Sequence, residues 1–197
     1  MGFFNRPIKI KITRTDDRAE LPKKAHTNKF ADAAYDLFIF DPTLPLSPMA
    51  AINAVYATKP TVVNQLYANT TLEAPTPADE DHILRLLAGE RKLVGTGIRL
   101  AIPDGYWVKF HERSGLANKG IHVLGGVIDS GYTGELKVIV YNSGHDTYEH
   151  DMVKAIAQFT IEKVTNSEIE LISIEDMEIE ASKRERQSKG FGSSDGK

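Results

Sequence analysis

The sequence predicts an all-β domain built from short strands, and three observations support this prediction. Residues 8–12 alternate strictly between isoleucine and lysine, as the two faces of a half-buried strand require. Further runs of β-branched and aromatic residues recur after residue 96, separated by turn sequences such as Pro103-Asp104-Gly105 and Asn142-Ser143-Gly144. In this region only residues 114–119 have the composition of a helix. Short strands at such spacing are typical of a sandwich or a barrel.

In chain order, the predicted strands cover residues 8–12, 97–101, 106–111, 121–124, 135–141 and 155–164. Residues 127–138 read V-I-D-S-G-Y-T-G-E-L-K-V, so an acid, an aromatic ring and two glycines lie between apolar runs. This pattern predicts a β-hairpin with a polar turn. Asp129, Ser130 and Gly131 are also common turn residues for backbone reasons alone, so an ordinary turn remains the alternative.

Composition limits the functional classes. A chain of 197 residues can bury one substantial core, and no break in composition requires a second domain. The absence of cysteine excludes disulfides and thiolate metal sites, and a formal net charge of -3 offers no basic field for duplex nucleic acid. No apolar run reaches the roughly 18 residues of a membrane helix, and the first residues are too few for a signal peptide. We therefore expect a soluble cytoplasmic protein without a membrane or stable nucleic-acid partner.

Two further features indicate a phosphate-rich ligand. Arg113 and Ser114 precede a short helix-compatible run, which suits the binding of an anion, although a serine there can also be a simple N-cap. The sequence closes with S-K-G-F-G-S-S-D-G-K, a Gly/Ser tail with one aromatic ring, although such a tail can also be a disordered terminus. Together with the carboxylate of Asp129, these features predict an enzyme acting on a nucleoside polyphosphate.

Five segments, in chain order, resemble the short motifs of the trimeric dUTPase (deoxyuridine triphosphate nucleotidohydrolase) family. Residues 33–37, A-A-Y-D-L, resemble the first motif, with Ala34 where glycine is usual. Residues 113–117, R-S-G-L-A, match the second, and residues 126–138 match the third closely. The fourth appears as A-I-A-Q at residues 155–158, so its usual arginine is missing and Lys154 is only a neighbouring substitute. The fifth, from Arg186 to Ser194, keeps its arginine and phenylalanine but loses two glycines. The match covers about residues 5–40 and 93–164 and then the tail.

The resemblance implies both a fold and a reaction. We expect a jelly-roll or distorted β-barrel of the dUTPase type in residues 1–164, and a C-terminal arm in residues 165–197 with a mobile Gly/Ser tail. The implied reaction is hydrolysis of dUTP to dUMP and pyrophosphate, which limits uracil incorporation into DNA and supplies dUMP for dTMP synthesis. Asp129 would be the catalytic residue that activates water for attack at the α-phosphorus. Mg²⁺ would be the cofactor, bound by the triphosphate, with Asp36 contacting metal-bound water.

The resemblance also assigns residues to each part of the substrate. The uracil would meet a wall of backbone that excludes a 5-methyl group, and the deoxyribose would pack on a ring that leaves no room for a 2′-hydroxyl. The residues at this end of the substrate are Gly125, Val127, Ile128 and Tyr132, with Phe191 stacked on the uracil. The phosphates would be held by Arg113, Ser114, Gly115 and Gln158, with Arg186 at the γ-phosphate. Gly192, next to Phe191, completes the substrate-binding set.

Assembly and the middle of the chain follow from the same resemblance. Three subunits contribute to each site in this family, so we expect a homotrimer in which the C-terminal arm closes over a neighbour's substrate. Between Leu37 and Gly95 the chain departs from the family, because its proline-rich connection is roughly twice the usual length. We expect an insertion at about residues 41–92 with helices at residues 49–58 and 78–87. It is either a surface addition that packs on the barrel or a lid or partner-binding arm.

Two other functions stay open from the sequence. A dCTP deaminase shares the fold and the triphosphate chemistry, although the third motif and the F-G-S-S tail favour hydrolysis of dUTP. A dUTPase-like binding protein could signal to a regulator through the insertion, and this role is compatible with catalysis. An insertion-bearing dUTPase would fit a bacterial virus, which would place the protein in the cytoplasm of the host.

Overall fold

The computed structural model describes residues 8–28, 31–44 and 82–184. In these residues the strands are β1 (Lys11–Arg14), β2 (Tyr35–Phe38), β3 (Ile83–Leu86), β4 (Arg91–Ala101), β5 (Tyr106–His111), β6 (Ile121–Leu124), β7 (Val127–Ile128), β8 (Glu135–Asn142), β9 (Tyr148–Asp151) and β10 (Ala155–Lys163). The helices are α1 (Ser114–Ala117) and α2 (Ile174–Ser182). The chain divides into two compact units between Val164 and Thr165. Within the described ranges, neither helix is long and apolar enough to cross a membrane.

The strands of the first unit form two four-stranded sheets and a two-stranded sheet, all with antiparallel pairing. One sheet has the order β1-β4-β8-β6 and the other has the order β2-β10-β5-β7, while β3 pairs with β9. Neighbouring strands are often far apart in the sequence, as β4 and β8 are. Two packed antiparallel sheets with such connections are the architecture of a jelly-roll. The predicted all-β class is confirmed.

The core lies between the two large sheets and follows from the strict alternation of β8. Its residues Leu136, Val138 and Val140 are fully buried, whereas the residues between them face outward. From the opposite sheet, Val108 of β5 and Phe159 of β10 belong to the same buried cluster. Each fully buried aliphatic or aromatic side chain contributes about 1.5 to 3 kcal/mol to folding. This core fixes β5 and β10, the two strands from which the site below is built.

Glu135 has a structural role at a bulge of β4. The pairing between β4 and β8 shifts between Gly95 and Arg99. Glu135 Oε1 accepts hydrogen bonds from the backbone N–H groups of Thr96 at 3.1 Å and Gly97 at 2.9 Å. Gly97 has a φ of +67°, and a Cβ there would lie 2.5 Å from the Cβ of Ala19. The carboxylate therefore satisfies two backbone donors that the bulge leaves without ladder partners.

The predicted β-hairpin at residues 127–138 is wrong. β7 pairs with β5, through Val108 opposite Ile128 and Lys109 opposite Val127, whereas β8 belongs to the other large sheet. β8 pairs instead with β6. Residues 125–134 connect β6 to β8 by way of the other large sheet, where they contact β5. Gly126 allows the crossing, because its carbonyl accepts the Phe110 N–H at 2.8 Å and a Cβ there would lie 2.9 Å from the Phe110 carbonyl oxygen. The polar residues of the third motif thus lie on the segment of residues 125–134, which is called the Asp129 loop below.

Two other predicted elements also differ from the structure. The helix predicted at residues 78–87 is wrong at residues 83–86, which form β3 and pair with β9 from Ile83 opposite Asp151 to Leu86 opposite Tyr148. Pairing with a distant strand therefore outweighs the local helix signal there. β1 begins at Lys11, and all its residues are exposed because it is an edge strand paired with β4. The helix predicted at residues 49–58 lies outside the described residues.

The second unit contains α2, which the sequence reading did not anticipate. Ser173 caps this helix by accepting the Asp176 N–H at 3.0 Å. Glu175 and Asp176 place negative charge in its first turn, where the helix dipole favours it. The charged composition that predicted a connecting arm therefore also suits a short solvated helix.

Candidate functional site

Three of the sequence motifs line one cleft of about 670 Å³ in the first unit. The first motif supplies Asp36, the second supplies Arg113, Ser114 and Gly115, and the fourth supplies Gln158. These residues are far apart in the sequence, so the fold has brought them together. The cleft is therefore the first part of the candidate active site.

The strand pairing explains how the motifs meet. Gln158 of β10 lies opposite Asp36 of β2 on one side and opposite His111 of β5 on the other. The second motif begins directly after β5, so it emerges beside Gln158. The Gln158 side chain donates from Nε2 to the carbonyl oxygen of Glu112 at 2.8 Å, which ties β10 to the start of the motif. Adjacent strands thus place the polar ends of three motifs at one edge.

Arg113 and Asp36 form the central ion pair of the cleft. Arg113 Nε lies 3.0 Å from Asp36 Oδ1, and Nη2 lies 3.4 Å from Oδ2. A third contact joins Arg113 Nη1 to the carbonyl oxygen of Ala155 at 3.4 Å. The Asp36 side chain is 17% exposed and that of Arg113 is 38% exposed. A two-point pair of this kind holds the guanidinium in one orientation at the wall of the cleft.

Ser114 is the first residue of α1, and the N-cap is Arg113 in an extended conformation. The alternative in which Ser114 is only an N-cap is therefore wrong. Within the part of the chain that the structure describes, its hydroxyl has no hydrogen-bond partner. The N–H groups of Leu116 and Ala117 donate to the Arg113 carbonyl oxygen at 2.9 Å, whereas those of Ser114 and Gly115 have no acceptor among the described residues. A hydroxyl and backbone donors are thus available at the cleft for an oxygen-rich ligand.

Sequence reasoning missed the opposite wall of the cleft, which β9 supplies. Tyr148 and His150 alternate with exposed Glu149, so both point to the same side of the strand. His150 Nε2 donates to the Lys154 carbonyl oxygen at 3.1 Å, and its Nδ1 accepts from the Tyr148 hydroxyl at 3.3 Å. Burial lowers the pKa of His150 and raises that of Tyr148. Both side chains are therefore neutral at neutral pH, and the alternation Y-E-H was the only sequence signal for them.

The polar residues of the third motif form a separate group on the Asp129 loop. Asp129 is exposed, and none of the described residues hydrogen-bonds or pairs with its carboxylate. The Asp129 carbonyl oxygen accepts the Tyr132 N–H at 3.0 Å, which closes a turn. The Tyr132 hydroxyl donates to the Glu135 carbonyl oxygen at 2.6 Å. This turn presents a free carboxylate and a fixed ring on the same loop.

Gly134 determines where the Tyr132 ring lies. A Cβ at Gly134 would be 2.8 Å from the Cζ and hydroxyl oxygen of that ring, closer than real side chains allow. The ring thus covers the backbone of Gly134, and 44% of Tyr132 is exposed. The same loop contains Gly131, where an added Cβ would meet nothing within 4 Å. Only one of the two glycines is needed to seat the ring.

The structure does not bring all the predicted site residues together. Among the described residues that line the cleft, none comes from the third motif, so Gly125, Val127, Ile128, Asp129 and Tyr132 lie elsewhere on the chain. Val127 is 62% exposed, whereas Ile128 is partly buried against the core. Arg186, Phe191 and Gly192 lie outside the described residues. The phosphate side and the nucleoside side of the predicted site therefore occupy different parts of one subunit.

The described residues contain no group of three or more metal-ligating side chains that could hold a metal ion by themselves. Asp36 offers a single carboxylate at the cleft, beside Arg113. One carboxylate is compatible with Mg²⁺, which keeps several waters and takes its remaining ligands from substrate phosphates. The residues present therefore fit a metal that arrives with a polyphosphate, as the sequence prediction requires.

The comparison with protein families covers the second to fifth motifs, whereas the first, at residues 33–37, lies outside the matched residues. A family model described as dUTPase matches residues 78–195. The deoxyuridine 5'-triphosphate nucleotidohydrolase of Nautilia profundicola is 44% identical over 117 residues, which cover 58% of this chain and 77% of that protein. The enzyme of the same name from Fusobacterium nucleatum is 42% identical over 106 residues, which cover 52% of this chain and 68% of that protein.

Solved structures with the same fold include phage enzymes. The dUTPase of Staphylococcus bacteriophage 80alpha with dUPNHPP has a TM-score of 0.60 at 19% identity, over 94% of this chain and 98% of that one. A mutant dUTPase from phage phi11 of S. aureus, described with a structural Mg(II) ion, has a TM-score of 0.55 at 17% identity, over 84% of this chain and 97% of that one. At these identities the likeness shows the fold alone, and it confirms the predicted dUTPase-type jelly-roll.

Proposed function

The chain belongs to the dUTPase family and is a dUTP diphosphatase, and we propose that it hydrolyses dUTP with the triphosphate in the cleft and the nucleoside on the Asp129 loop of a neighbouring subunit. This proposal rests on one observation above all. The first, second and fourth motifs meet in a single cleft around the pair of Arg113 and Asp36, while the third motif lies outside it. Each half offers the chemistry that one end of dUTP needs.

The cleft supplies the contacts for the phosphates. Arg113 presents a guanidinium, Ser114 and Gly115 present a hydroxyl and backbone N–H groups, and Gln158 lies beside them. Charge-assisted hydrogen bonds of this kind are the strongest that a phosphate receives from a protein. Mg²⁺, when bound with the substrate, would neutralise charge on the phosphate oxygens, and Asp36 would hold one of its waters. This half of the site would thus bind and orient the triphosphate.

The Asp129 loop supplies the catalytic carboxylate. Asp129 would orient a water in line with the bond from the α-phosphorus to the bridging oxygen and accept its proton, and pyrophosphate would leave with the electrons of the broken bond. Two features support this role: the carboxylate is exposed, and no described residue already binds it. A carboxylate that is free on the loop can face a substrate held by another surface.

The same loop supplies selectivity for the base and the sugar. Gly125 has a φ of +63° and Gly126 lies against Phe110, so the backbone from Gly125 to Ile128 is held by β5 and can offer its N–H and C=O groups to the uracil. A rigid backbone wall rejects a 5-methyl group by steric exclusion. Tyr132, fixed over Gly134, would pack on the deoxyribose. From the sequence alone, we further propose that Arg186, Phe191 and Gly192 close the site.

We propose a homotrimer as the assembly in which the two halves meet. Support comes from an exposed apolar row across the outer face of one large sheet, where Leu93 of β4 and Leu124 of β6 both lie opposite Ile139 of β8. These side chains are 62%, 37% and 36% exposed in the single subunit. Adjacent large apolar residues on a surface commonly mark a protein contact. Gly125 adjoins this row, because a Cβ added there would lie 3.5 Å from Ile139 Cδ1, and Gly125 is the first residue of the Asp129 loop.

The activity is tested directly by product formation. The purified protein with Mg²⁺ should release pyrophosphate from dUTP far faster than from dCTP, dTTP or UTP, because the backbone wall and the Tyr132 ring reject the other bases and ribose. A deaminase would instead release ammonia from dCTP. Ammonia from dCTP, or equal pyrophosphate release from dUTP and UTP, would contradict the proposal.

Substitution of Gly134 should change sugar selectivity. Gly134→Ala places a methyl group where the Tyr132 ring lies, and the exposed ring can move away without disturbing the core. We therefore expect kcat/KM for dUTP to fall by roughly 10-fold and the ratio of dUTP to UTP hydrolysis to narrow. Tyr132→Ala should narrow the same ratio. The matched control is Gly131→Ala, which should leave the ratio unchanged because an added Cβ there meets nothing. Unchanged selectivity in Gly134→Ala and Tyr132→Ala would show that the sugar is recognised elsewhere.

A further inference from the structure

Lys119 is the one described cation of the cleft without an acidic partner. The cations that line the cleft are Arg113, Lys119 and Lys154, and the acids are Asp32, Asp36, Glu149 and Asp151. Arg113 pairs with Asp36 at 3.0 Å, and Lys154 Nζ lies 3.5 Å from Asp151 Oδ2. Within the described residues, no carboxylate lies within ion-pair distance of Lys119 Nζ.

The acids of the cleft have hydrogen-bond or ion-pair partners other than Lys119 among the described residues. Asp32 accepts the His26 N–H at 2.8 Å and lies 3.2 Å from the His26 ring nitrogen. Glu149 pairs with Arg85 at 2.8 Å. Asp36 and Asp151 have the partners given above. Among the described lysine and arginine residues that line the cleft, Lys119 is thus the one that takes part in none of these ion pairs.

The structure also fixes the position of this charge. Lys119 lies just after α1, and its N–H donates to the Leu116 carbonyl oxygen at 2.9 Å. The next residue, Gly120, has a φ of +78° and accepts the Ser143 N–H at 2.8 Å, so the backbone is held on both sides. Lys119 Nζ lies 5.8 Å from the centroid of the Tyr148 ring. An ammonium within about 6 Å of an aromatic face is attracted to it, but the ring supplies no hydrogen-bond acceptor for its N–H groups.

A triphosphate needs more positive charge than the known motifs leave in this cleft. The charge of Arg113 is offset by Asp36, and position 155 holds alanine instead of a cationic residue. We propose that Lys119 is a substrate-binding residue whose ammonium, positioned by Tyr148, binds the phosphate oxygens of the nucleoside triphosphate. This inference rests on the proposed function, because it places the phosphates in the cleft. It gives the chain a cation just after α1, while the fourth motif lacks its usual arginine.

The test compares three variants by the binding of a series of nucleotides. Lys119→Gln removes the charge, Lys119→Arg keeps it, and Lys163→Gln is the matched control, since Lys163 is an exposed lysine at the far end of β10. Dissociation constants are measured at low salt for deoxyuridine, dUMP, dUDP and a non-hydrolysable dUTP analogue with Mg²⁺. We expect Lys119→Gln to bind the dUTP analogue roughly 10- to 100-fold more weakly than wild type, as loss of a charged hydrogen bond predicts. Deoxyuridine binding should be unchanged.

Further readouts separate a phosphate contact from a structural role. Lys119→Arg should restore most of the affinity, and the defect of Lys119→Gln should shrink as salt screens the charge. The nucleotide at which the defect first appears identifies the phosphate that Lys119 contacts. The inference is overturned if Lys119→Gln binds the analogue as tightly as Lys163→Gln does. It is also overturned if Lys119→Gln binds deoxyuridine more weakly than wild type and unfolds at a lower temperature. Failure of the proposed function would look different: wild type would release no pyrophosphate from dUTP, whereas the charge-dependent loss of analogue binding could still be measured.

Discussion

Asp129→Asn should abolish nearly all hydrolysis of dUTP while leaving binding of the triphosphate largely intact. The substitution keeps the size and hydrogen-bonding capacity of the side chain but removes the proton acceptor that orients the attacking water. Loss of a general base costs on the order of 10²-fold or more in kcat. Because the carboxylate is exposed and no described residue bonds to it, its replacement should not destabilise the fold. Single-turnover hydrolysis and titration with a non-hydrolysable dUTP analogue measure the two effects separately.

A matched control is available in the turn between β4 and β5. Asp104 is also an exposed aspartate in a turn, and Asp104→Asn makes the same change in charge and size. It should leave kcat within about twofold of wild type, as surface substitutions generally do. If Asp129→Asn turns over as fast as Asp104→Asn, the catalytic carboxylate must be another residue. If it loses affinity for the analogue as well as turnover, Asp129 binds the substrate instead of activating the water.

The architecture could be predicted where the sequence signal is local. The prediction failed where the fold depends on pairing between strands that are far apart in the sequence. β5 and β6 begin and end at the predicted residues, and β5 shows the alternating burial of a strand with one face on the core. Residues 83–86 form a strand only because β9 lies beside them, and nothing within the segment indicates that partner. The sequence of the Asp129 loop similarly predicts a hairpin turn, because nothing in it indicates that Val127 and Ile128 pair with β5.

Only part of the cleft could be predicted from the sequence. The motif letters identify Asp36, Arg113 and Gln158, and the strand order then places them in one cleft. No motif identifies Tyr148 or His150, which line the cleft from β9. Which charged side chains form ion pairs also depends on the structure. Only the set of ion pairs shows that Arg113 is neutralised and Lys119 is not.

Complementation between two inactive variants should restore activity if the site is shared between subunits. Asp129→Asn removes the catalytic carboxylate from the Asp129 loop, and Arg113→Gln removes the guanidinium from the cleft. Each variant alone should be inactive, because every site in its trimer has the same defect. In trimers assembled from equal amounts of the two variants, a site is intact when its loop comes from an Arg113→Gln subunit and its cleft from an Asp129→Asn subunit. Random assembly makes about a quarter of the sites intact, so activity should approach about a quarter of wild type.

A second mixture separates shared sites from sites within one chain. When a chain with both substitutions is mixed equally with wild type, shared sites again leave about a quarter of the activity, whereas sites within single chains leave about half. Two different affinity tags confirm that mixed trimers form, and their mass is checked by light scattering. The separation of the Asp129 loop from the cleft in one subunit is the reason to expect recovery. Absence of recovery in confirmed mixed trimers would mean that the loop and the cleft of the same chain come together, and that the exposed row of Leu93, Ile139 and Leu124 does not join them across an interface.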